Sequence, residues 1–272
     1  MKGHPKTLAV TLKRRVARLL ARRQFAHSIR PSDVFIVTYP KSGTEWLRFL
    51  IANSIKNDPN EEITFLNNVN YIPDINDMYL AQNSLSKFAS LPDPRFFSVH
   101  APYDPIFPRV VYVLRDPRDV MVSYYHYKCL IDASLCSSLQ EFVMSDNHYP
   151  CRWDEHVAGW LLKGLNASLC LVRYEEMHQD TYGVLKRVLD FAGLRYTEAD
   201  ISRAVEASRF ERMRSAEEQY GFPHPDILNP DEKFVRRGKV GSYRDELNVE
   251  SIQILDEKYG AVMRVVGYEP SR

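Results

Sequence analysis

Residues 34–46 read Val-Phe-Ile-Val-Thr-Tyr-Pro-Lys-Ser-Gly-Thr-Glu-Trp. The apolar run at residues 34–37 predicts a buried strand, and the turn after it leads into a helix that begins near Thr44. The free N–H groups of a helix start, together with Lys41 and the hydroxyls of Ser42 and Thr44, form a cradle for an anion. The stretch therefore predicts a phosphate-like group held in a turn between a strand and a helix.

A second strand, turn and helix are predicted over residues 110–126. The apolar run 110–114 ends at Arg115, and Pro117 suits the first turn of the following helix. Ser123 lies eight residues beyond Arg115, which is about two helical turns, so that a guanidinium and a hydroxyl can converge on a second anion. Two anion sites at the carboxyl ends of neighbouring strands suit a nucleotide that is phosphorylated at both ends.

Strands and helices alternate along the rest of the chain. The predicted strands cover residues 34–39, 96–99, 110–114 and 169–173. The predicted helices cover residues 44–56, 117–130, 152–164, 181–192, 197–207 and 249–265, with a polar and aromatic region at 57–92 and a long loop at 217–240. This order predicts an α/β fold, a single domain over residues 31–272 with a central parallel sheet flanked by helices. With 272 residues, 44% of them hydrophobic, the chain can bury a full core.

Basic residues are concentrated at the N-terminus. Residues 1–30 hold nine of the 36 Lys and Arg and no acid, so that 27 bases face all 35 acids in the remainder. The leucines of this segment fall on one face, which predicts a basic amphipathic N-terminal helix over residues 1–30. Such a helix can contact an anionic membrane surface or partner, or it can pack on the domain with its charges in water. The acidic remainder makes nucleic acid a poor partner.

Cysteine usage and hydropathy indicate the compartment. The four cysteines show no metal-ligand spacing, which predicts reduced thiols and no metal site; they are Cys129, Cys136, Cys151 and Cys170. No apolar stretch approaches the ~20 residues of a membrane span. The N-terminus also lacks the apolar core of a secretory signal. We therefore expect a cytoplasmic protein.

Both motifs resemble the signature of the soluble, cytosolic-type sulfotransferases. The matching residues are Tyr-Pro-Lys-Ser-Gly-Thr at 39–44 with Trp46, and Arg-Asp-Pro-Arg-Asp at 115–119 with Ser-Tyr-Tyr-His at 123–126. A third match, Arg-Arg-Gly-Lys-Val-Gly at 236–241, resembles the family's C-terminal Arg-Lys-Gly-x-x-Gly segment. That family moves a sulfuryl group from 3′-phosphoadenosine-5′-phosphosulfate (PAPS) to a hydroxyl or amine, leaving the bisphosphate PAP. The resemblance implies the sulfotransferase fold, with a P-loop-like phosphate-binding turn, PAPS as donor and no metal.

Two catalytic residues follow from the resemblance. His100, in the segment Phe-Phe-Ser-Val-His-Ala-Pro at 96–102, matches the family's catalytic histidine and would act as general base, since an imidazole titrates near neutrality. Lys41 would stabilise the charge of the leaving 5′-phosphate. The alternative for His100 is a structural histidine at a strand end. His126, which completes the Ser-Tyr-Tyr-His run, is expected to pack beside the site.

The resemblance also implies the residues that bind PAPS. The cradle is formed by Lys41, Ser42, Gly43, Thr44 and Trp46, the last stacking on adenine. The 3′-phosphate would contact Arg115, Ser123, Arg236, Arg237 and Gly238. Further matches around the adenine are Tyr174, Ser208 and Phe210, with serine in place of the family's threonine at 208. Trp46 could instead be an aromatic residue of the core. The arginine pair at 236–237 could instead be a run of charges exposed to solvent.

The chain departs from the family pattern at three places. Ser98 stands where the family often carries a lysine, so one cation near the transferring group is absent. Ser-Tyr-Arg at 242–244 replaces the usual Asp-Trp-Lys. Residues 244–253 keep only Val249 of the dimer signature common in animal members. We expect catalysis to survive these changes, and the oligomeric state stays open.

The sequence also bears on two other functions and on the nature of the acceptor. An ATP or GTP kinase needs the pattern GxxxxGK[ST], which the chain lacks because Lys41 precedes Gly43. A PAPS-binding fold without activity, serving as an interaction module, is the second alternative, and the presence of both Lys41 and His100 argues against it. The apolar and aromatic residues of 57–92 favour a small, lipophilic, hydroxyl-bearing acceptor. A phenol, a sterol, a glycolipid or another metabolite all fit.

Overall fold

The computed structural model describes residues 20, 22–81, 83–132, 134, 136, 138–163, 168–223 and 232–270. Most of the predicted N-terminal amphipathic helix thus lies outside the described residues. Within the part that is described, residues 22–27 are helical.

The described strands form one parallel sheet in the order β2-β1-β3-β4. They are β1 (Val34–Thr38), β2 (Phe96–Val99), β3 (Arg109–Leu114) and β4 (Ser168–Arg173). In the register, Val37 of β1 lies opposite Val99 on one side and Tyr112 on the other. Because the strands are parallel, their carboxyl ends meet at one edge of the sheet. That edge is followed directly by the predicted site residues His100, Arg115 and Tyr174.

Helices cover both faces of the sheet. In chain order they are α1 (Thr44–Ile55), α2 (Asn76–Ala81), α3 (Pro117–Ile131), α4 (Leu139–Met144), α5 (Trp153–Ala158), α6 (Tyr174–Gln179), α7 (Thr181–Ala192), α8 (Glu198–Ala207), α9 (Phe210–Tyr220) and α10 (Val249–Val265). Short 3₁₀ turns lie at Asn68–Asn70, Leu85–Phe88 and Ser242–Asp245. In this part of the chain, no helix is both long and apolar enough to cross a membrane.

Alternate side chains of β1 enter two separate cores. Val34 and Ile36 pack with α1, α7 and α8, whereas Phe35 and Val37 pack with α3 and α10. All five residues of β1 are buried, as expected for the centre of a parallel sheet that is covered on both faces. The predicted α/β architecture with a helix-flanked parallel sheet is therefore confirmed.

Two local predictions were wrong, and one predicted helix is present but ends in a different helical form. Residues 217–220 were predicted as loop, but they form the end of helix α9. Most residues of this helix are charged or polar, yet Met213 and Ala216, three residues apart, are buried on one side of it. The helix predicted at 152–164 is α5 followed by a π-helical turn, Gly159–Lys163. Cys129 and Cys136 form a disulfide, because the end of α3 and the following loop bring their Cα atoms within 5.0 Å. Cys151 and Cys170 are free thiols, as predicted.

Candidate active site

The turn between β1 and α1 has the backbone of an anion cradle. Gly43 caps α1 in the left-handed conformation with φ 107°, and no side chain caps the helix start. A Cβ on Gly43 would lie 2.6 Å from the ring of Tyr174, so only glycine fits. The hydroxyl of Ser42 is buried and has no hydrogen-bond partner among the described residues. A buried unpaired hydroxyl beside an uncapped helix start is the arrangement that an anion's oxygens would satisfy.

The Lys41 ammonium lies between two aromatic rings. Its Nζ is 3.6 Å from the ring centroid of Phe234 and 4.6 Å from that of Tyr127. Burial lowers the pKa of Lys41 to about 7, although the Glu45 carboxylate acts in the opposite direction. The rings attract the cation through their faces while they exclude water. Burial thus brings the pKa of this lysine down into the neutral range.

One cavity brings several predicted cofactor residues together. Lys41 from the first motif, Ser123 from the second and Arg236 from the third all line it. The other lining residues are His126, Tyr127, Leu130, Lys233 and Phe234. Three motifs that are far apart in sequence thus meet at a single space.

Hydrogen bonds fix the tautomer of His100. Its Nδ1 lies 2.9 Å from the carbonyl oxygen of Thr38 and 2.9 Å from the Thr38 hydroxyl. A carbonyl oxygen can only accept, so Nδ1 carries the proton and Nε2 keeps its lone pair. The backbone N–H of His100 donates to Asn76 at 2.7 Å, which anchors the strand end. Burial lowers the pKa of His100 against an opposing effect of the Asp74 carboxylate, so the ring is neutral and able to take up a proton.

The same threonine connects the histidine to the anion cradle. The hydroxyls of Thr38 and Thr44 are 2.7 Å apart, and Thr44 begins α1. A continuous hydrogen-bonded chain thus runs from His100 through Thr38 to the start of helix α1. No role was predicted for Thr38, although its position at the end of β1 was the available signal.

Aromatic rings cluster beside the turn. The ring centroid of Trp46 lies 5.8 Å from Tyr174 and 4.8 Å from His178. Trp46 is only half-buried, which fits a ring that offers a face to a ligand better than a core aromatic. His178 was not predicted here; its spacing four residues after Tyr174 on α6 was the available signal. Phe210 packs on Gly238, where a Cβ would lie 2.4 Å from the ring.

Arg115 joins the first turn to the C-terminal segment. Its Nη1 donates to the carbonyl of Lys41 at 3.1 Å and its Nη2 to the carbonyl of Lys239 at 3.3 Å. The guanidinium carbon lies 4.0 Å from the ring centroid of Tyr174. The buried Nε atom has no partner in the described part of the chain, which leaves a donor for an anion. Ser208, by contrast, is fully buried and accepts a bond from Asn53 at 3.2 Å.

Asp119 belongs to the second motif and is a structural anchor, a role that was not predicted for it. It is 1% exposed, and its carboxylate accepts the backbone N–H groups of Gly241 at 2.7 Å and Tyr243 at 2.9 Å. The helix α3 therefore holds the C-terminal motif in place. The two arginines of that motif each pair with an acid: Arg236 with Glu246 at 2.7 Å and Arg237 with Asp245 at 2.8 Å.

Most of the large apolar side chains in the region 57–92 serve the core. Phe65, Ile72 and Ile75 are each no more than 1% exposed and belong to the two apolar cores. Ser98, the residue at the family's lysine position, is also buried, and its hydroxyl lacks a partner among the residues described. The three apolar side chains therefore contribute to the two cores, and a role of residues 57–92 in binding an acceptor stays a prediction. No group of three or more metal-ligating side chains occurs among the described residues.

Residues 31–267 match the family model described as the sulfotransferase domain. The chain belongs to the sulfotransferase family. This sulfotransferase is 28% identical over 258 residues to the 3-beta-hydroxysteroid sulfotransferase of Cavia porcellus, with 89% of the chain and 86% of the relative covered. It is 29% identical over 255 residues to sulfotransferase 2B1 of Homo sapiens, with 87% and 67% covered. The predicted family is confirmed.

Solved structures show the same fold. The sulfotransferase superposes on mouse sulfotransferase SULT7A1 complexed with PAP with a TM-score of 0.66 at 22% identity, covering 89% of each chain. It superposes on retinol dehydratase in complex with androsterone and the inactive cofactor PAP with a TM-score of 0.66 at 23% identity, covering 94% of this chain and 87% of the other. The central parallel sheet and its flanking helices are thus the sulfotransferase fold.

Proposed function

We propose that this sulfotransferase moves the sulfuryl group of PAPS to a hydroxyl of a small acceptor by in-line displacement, with His100 as general base and Lys41 stabilising the leaving phosphate. The observation that carries the proposal is the hydrogen-bonded chain from His100 through Thr38 to Thr44. It joins an imidazole that has a free Nε2 to the start of an uncapped helix.

The residues present fit a nucleotide with two phosphates. Ser42 and Arg115 each leave a buried polar atom without a partner in the described chain, and Gly43 lets the ring of Tyr174 pack directly against the turn. Ser123 and Arg236 line the cavity that also holds the Lys41 amine. Trp46 and Tyr174 would provide rings beside the adenine. Both structures named above contain PAP, which is the product that PAPS would leave.

Proton and charge have defined places in the proposed step. His100 Nε2 would take the proton of the acceptor hydroxyl as that oxygen forms its bond to sulfur. The bond between sulfur and the 5′-phosphate oxygen breaks, and its electron pair stays on the phosphate. Lys41, in its ammonium form, would stabilise that negative charge. PAPS supplies only the activated sulfuryl group; the chain supplies alignment, the base and the cation.

A small, lipophilic acceptor is supported by the relatives. One is named a 3-beta-hydroxysteroid sulfotransferase, and retinol dehydratase was crystallised with retinol and with androsterone. We therefore propose a hydroxylated lipophilic acceptor of the sterol or phenol type. Membrane contact through residues 1–30 and a cytoplasmic location stay predictions.

The test replaces His100 with alanine. We expect transfer of label from radiolabelled PAPS to a panel of hydroxylated compounds to fall by at least about a hundredfold, while PAP binding measured by calorimetry stays nearly unchanged. His27→Asn is the matched control, because His27 is exposed on the surface. Full transfer by the His100→Ala protein would remove His100 from the mechanism. Binding of PAP by the native protein with no acceptor labelled would instead favour the inactive module.

A further inference from the structure

Glu246 lies at the junction of three elements. It follows the turn Ser242–Asp245 and precedes α10. One carboxylate oxygen accepts the Arg236 Nη1–H at 2.7 Å, and the other is 2.6 Å from Nε2 of His126 on α3. Burial alone would raise the pKa of Glu246, but the bonds from His126 and Arg236 outweigh it and lower that pKa. The carboxylate is therefore ionised, and the bonds from His126 and Arg236 fix its orientation. The Nε of Arg237 lies 3.5 Å from the oxygen that accepts the Arg236 bond, so Glu246 also faces the second arginine of the motif.

Arg236 remains able to bind a ligand while it is held. Only its Nη1 donates to Glu246, and the guanidinium makes no other hydrogen bond to a described residue. A guanidinium has five N–H donors, so the remaining ones are free for phosphate oxygens. Arg236 lines the cavity together with Lys41 and Ser123.

His126 strengthens this arrangement. Its Nε2–H donates to Glu246, since a carboxylate only accepts, and its Nδ1 lies 3.5 Å from the carboxylate of Glu232. Glu232 belongs to the same segment as Arg236, residues 232–238. The histidine thus connects helix α3 to Glu246, whereas its buried Nδ1 has no hydrogen-bond partner among the described residues.

We propose that Glu246 is a positioning residue for the nucleotide, which holds the Arg236 guanidinium at the phosphate cavity before binding, with His126 as its second anchor. The inference rests on the proposed function, in which Arg236 contacts the 3′-phosphate of PAPS. An unheld arginine loses its rotamer freedom when a ligand binds, and a preformed ion pair removes most of that loss.

The direction in which nucleotide affinity changes when the Glu246 charge is removed separates a positioning role from simple charge repulsion. A carboxylate beside a phosphate repels it, so removal of the charge alone would tighten nucleotide binding. Loss of positioning would weaken it. Glu246→Gln keeps the size of the side chain and removes the charge, so its effect on affinity distinguishes the two.

The experiment measures the Kd of adenosine 3′,5′-bisphosphate by calorimetry. We expect Glu246→Gln to weaken binding about tenfold, while binding of adenosine 5′-monophosphate, which lacks the 3′-phosphate, changes by less than about twofold. In kinetic assays the KM for PAPS should rise and kcat should stay the same, as expected for loss of uniform binding. Asp245→Asn is the matched control: it removes the same charge, but Asp245 pairs with Arg237 with 66% of its side chain exposed, so its effect should stay within about twofold.

A second variant guards against misfolding of the first. Glu246→Asp keeps the charge and shortens the reach to Arg236, so binding should weaken several-fold by the same mechanism. Variants that bind the bisphosphate as tightly as the native protein, or more tightly, would overturn the proposal. An equal loss for the monophosphate and the bisphosphate would also overturn it. Failure of the native protein to bind the bisphosphate would instead overturn the proposed function, and this inference with it.

Discussion

Lys41 shows how burial tunes a single side chain for the proposed reaction. Its amine lies against Phe234 and Tyr127, and its pKa is about 7 because burial disfavours the ammonium. In the proposed reaction the ammonium form of Lys41 would stabilise the leaving phosphate. An anionic ligand in the cavity would restore the charge, so that donor binding would itself activate the lysine.

A proton-linkage measurement tests this at the residue scale. At pH 8, above the Lys41 pKa of about 7, the free lysine is mostly neutral, and bound phosphate favours the ammonium. We therefore expect PAP binding at pH 8 to take up close to one proton, and binding at pH 6, where the lysine is already charged, to take up little. Calorimetry in two buffers of different ionisation enthalpy gives the number of protons taken up on PAP binding. Lys41→Met should abolish the uptake; uptake that persists in this variant would assign the proton to another group.

His100 illustrates the complementary case. The carbonyl of Thr38 accepts its Nδ1–H, which leaves Nε2 as the only ring nitrogen able to accept the acceptor's proton. Burial keeps the ring neutral. Because Ser98 occupies the family's lysine position, the proposed reaction depends on Lys41 for the cation close to the sulfuryl group.

At the scale of elements, helix α3 organises the C-terminal motif. Its first turn carries Asp119, which binds the backbone of Gly241 and Tyr243. Later turns carry Ser123 and His126, which line the cavity. The helix therefore provides both cavity-lining groups and the anchor for the C-terminal motif.

Replacement of Asp119 by alanine should release that segment. The change leaves two backbone N–H groups without their acceptor, so we expect a loss of about 2–4 kcal/mol in the free energy of unfolding and weaker PAP binding. Urea denaturation and calorimetry measure the two effects. The matched control is Asp180→Ala, which removes an exposed cap from α7, bonded to the Gly183 N–H at 2.8 Å. This change should lower the free energy of unfolding by about 1 kcal/mol and leave PAP binding unchanged. Native affinity in the Asp119→Ala protein would contradict the anchoring role.

At the scale of the whole molecule, a ligand that bridges the three motifs should stabilise the fold. Bound PAP would contact groups on α1, on α3 and in the C-terminal segment. When PAP is present at about 100 times its Kd, binding adds roughly 2.7 kcal/mol to the free energy of unfolding. For a chain of this size, that raises the Tm by about 5 °C.

Thermal melts with and without PAP give this shift directly. We expect the shift to persist in EDTA, because none of the proposed contacts needs a metal, and ATP with magnesium to give a much smaller one. A larger shift with ATP and magnesium than with PAP would revive the kinase alternative. No change with either nucleotide would argue against the proposed site.

The sequence by itself determined the local parts of this protein. The apolar run 34–37 followed by its turn, and the run 110–114 ending at Arg115, each lie within consecutive residues, so strand, turn and helix could be predicted without knowledge of the rest of the fold. The resemblance of three such segments also gave the family. Helix α9 was missed because its apolar stripe is short and its sequence is strongly charged.

Only the tertiary structure decided how these parts work together. Thr38 fixes His100 from 62 residues away, and Asp119 binds Tyr243 from 124 residues away. Glu246 reaches His126 across 120 residues. No periodicity or spacing in the sequence encodes such pairs. They form because the parallel strands, in the order β2-β1-β3-β4, bring their carboxyl ends and the loops that follow to one edge of the sheet.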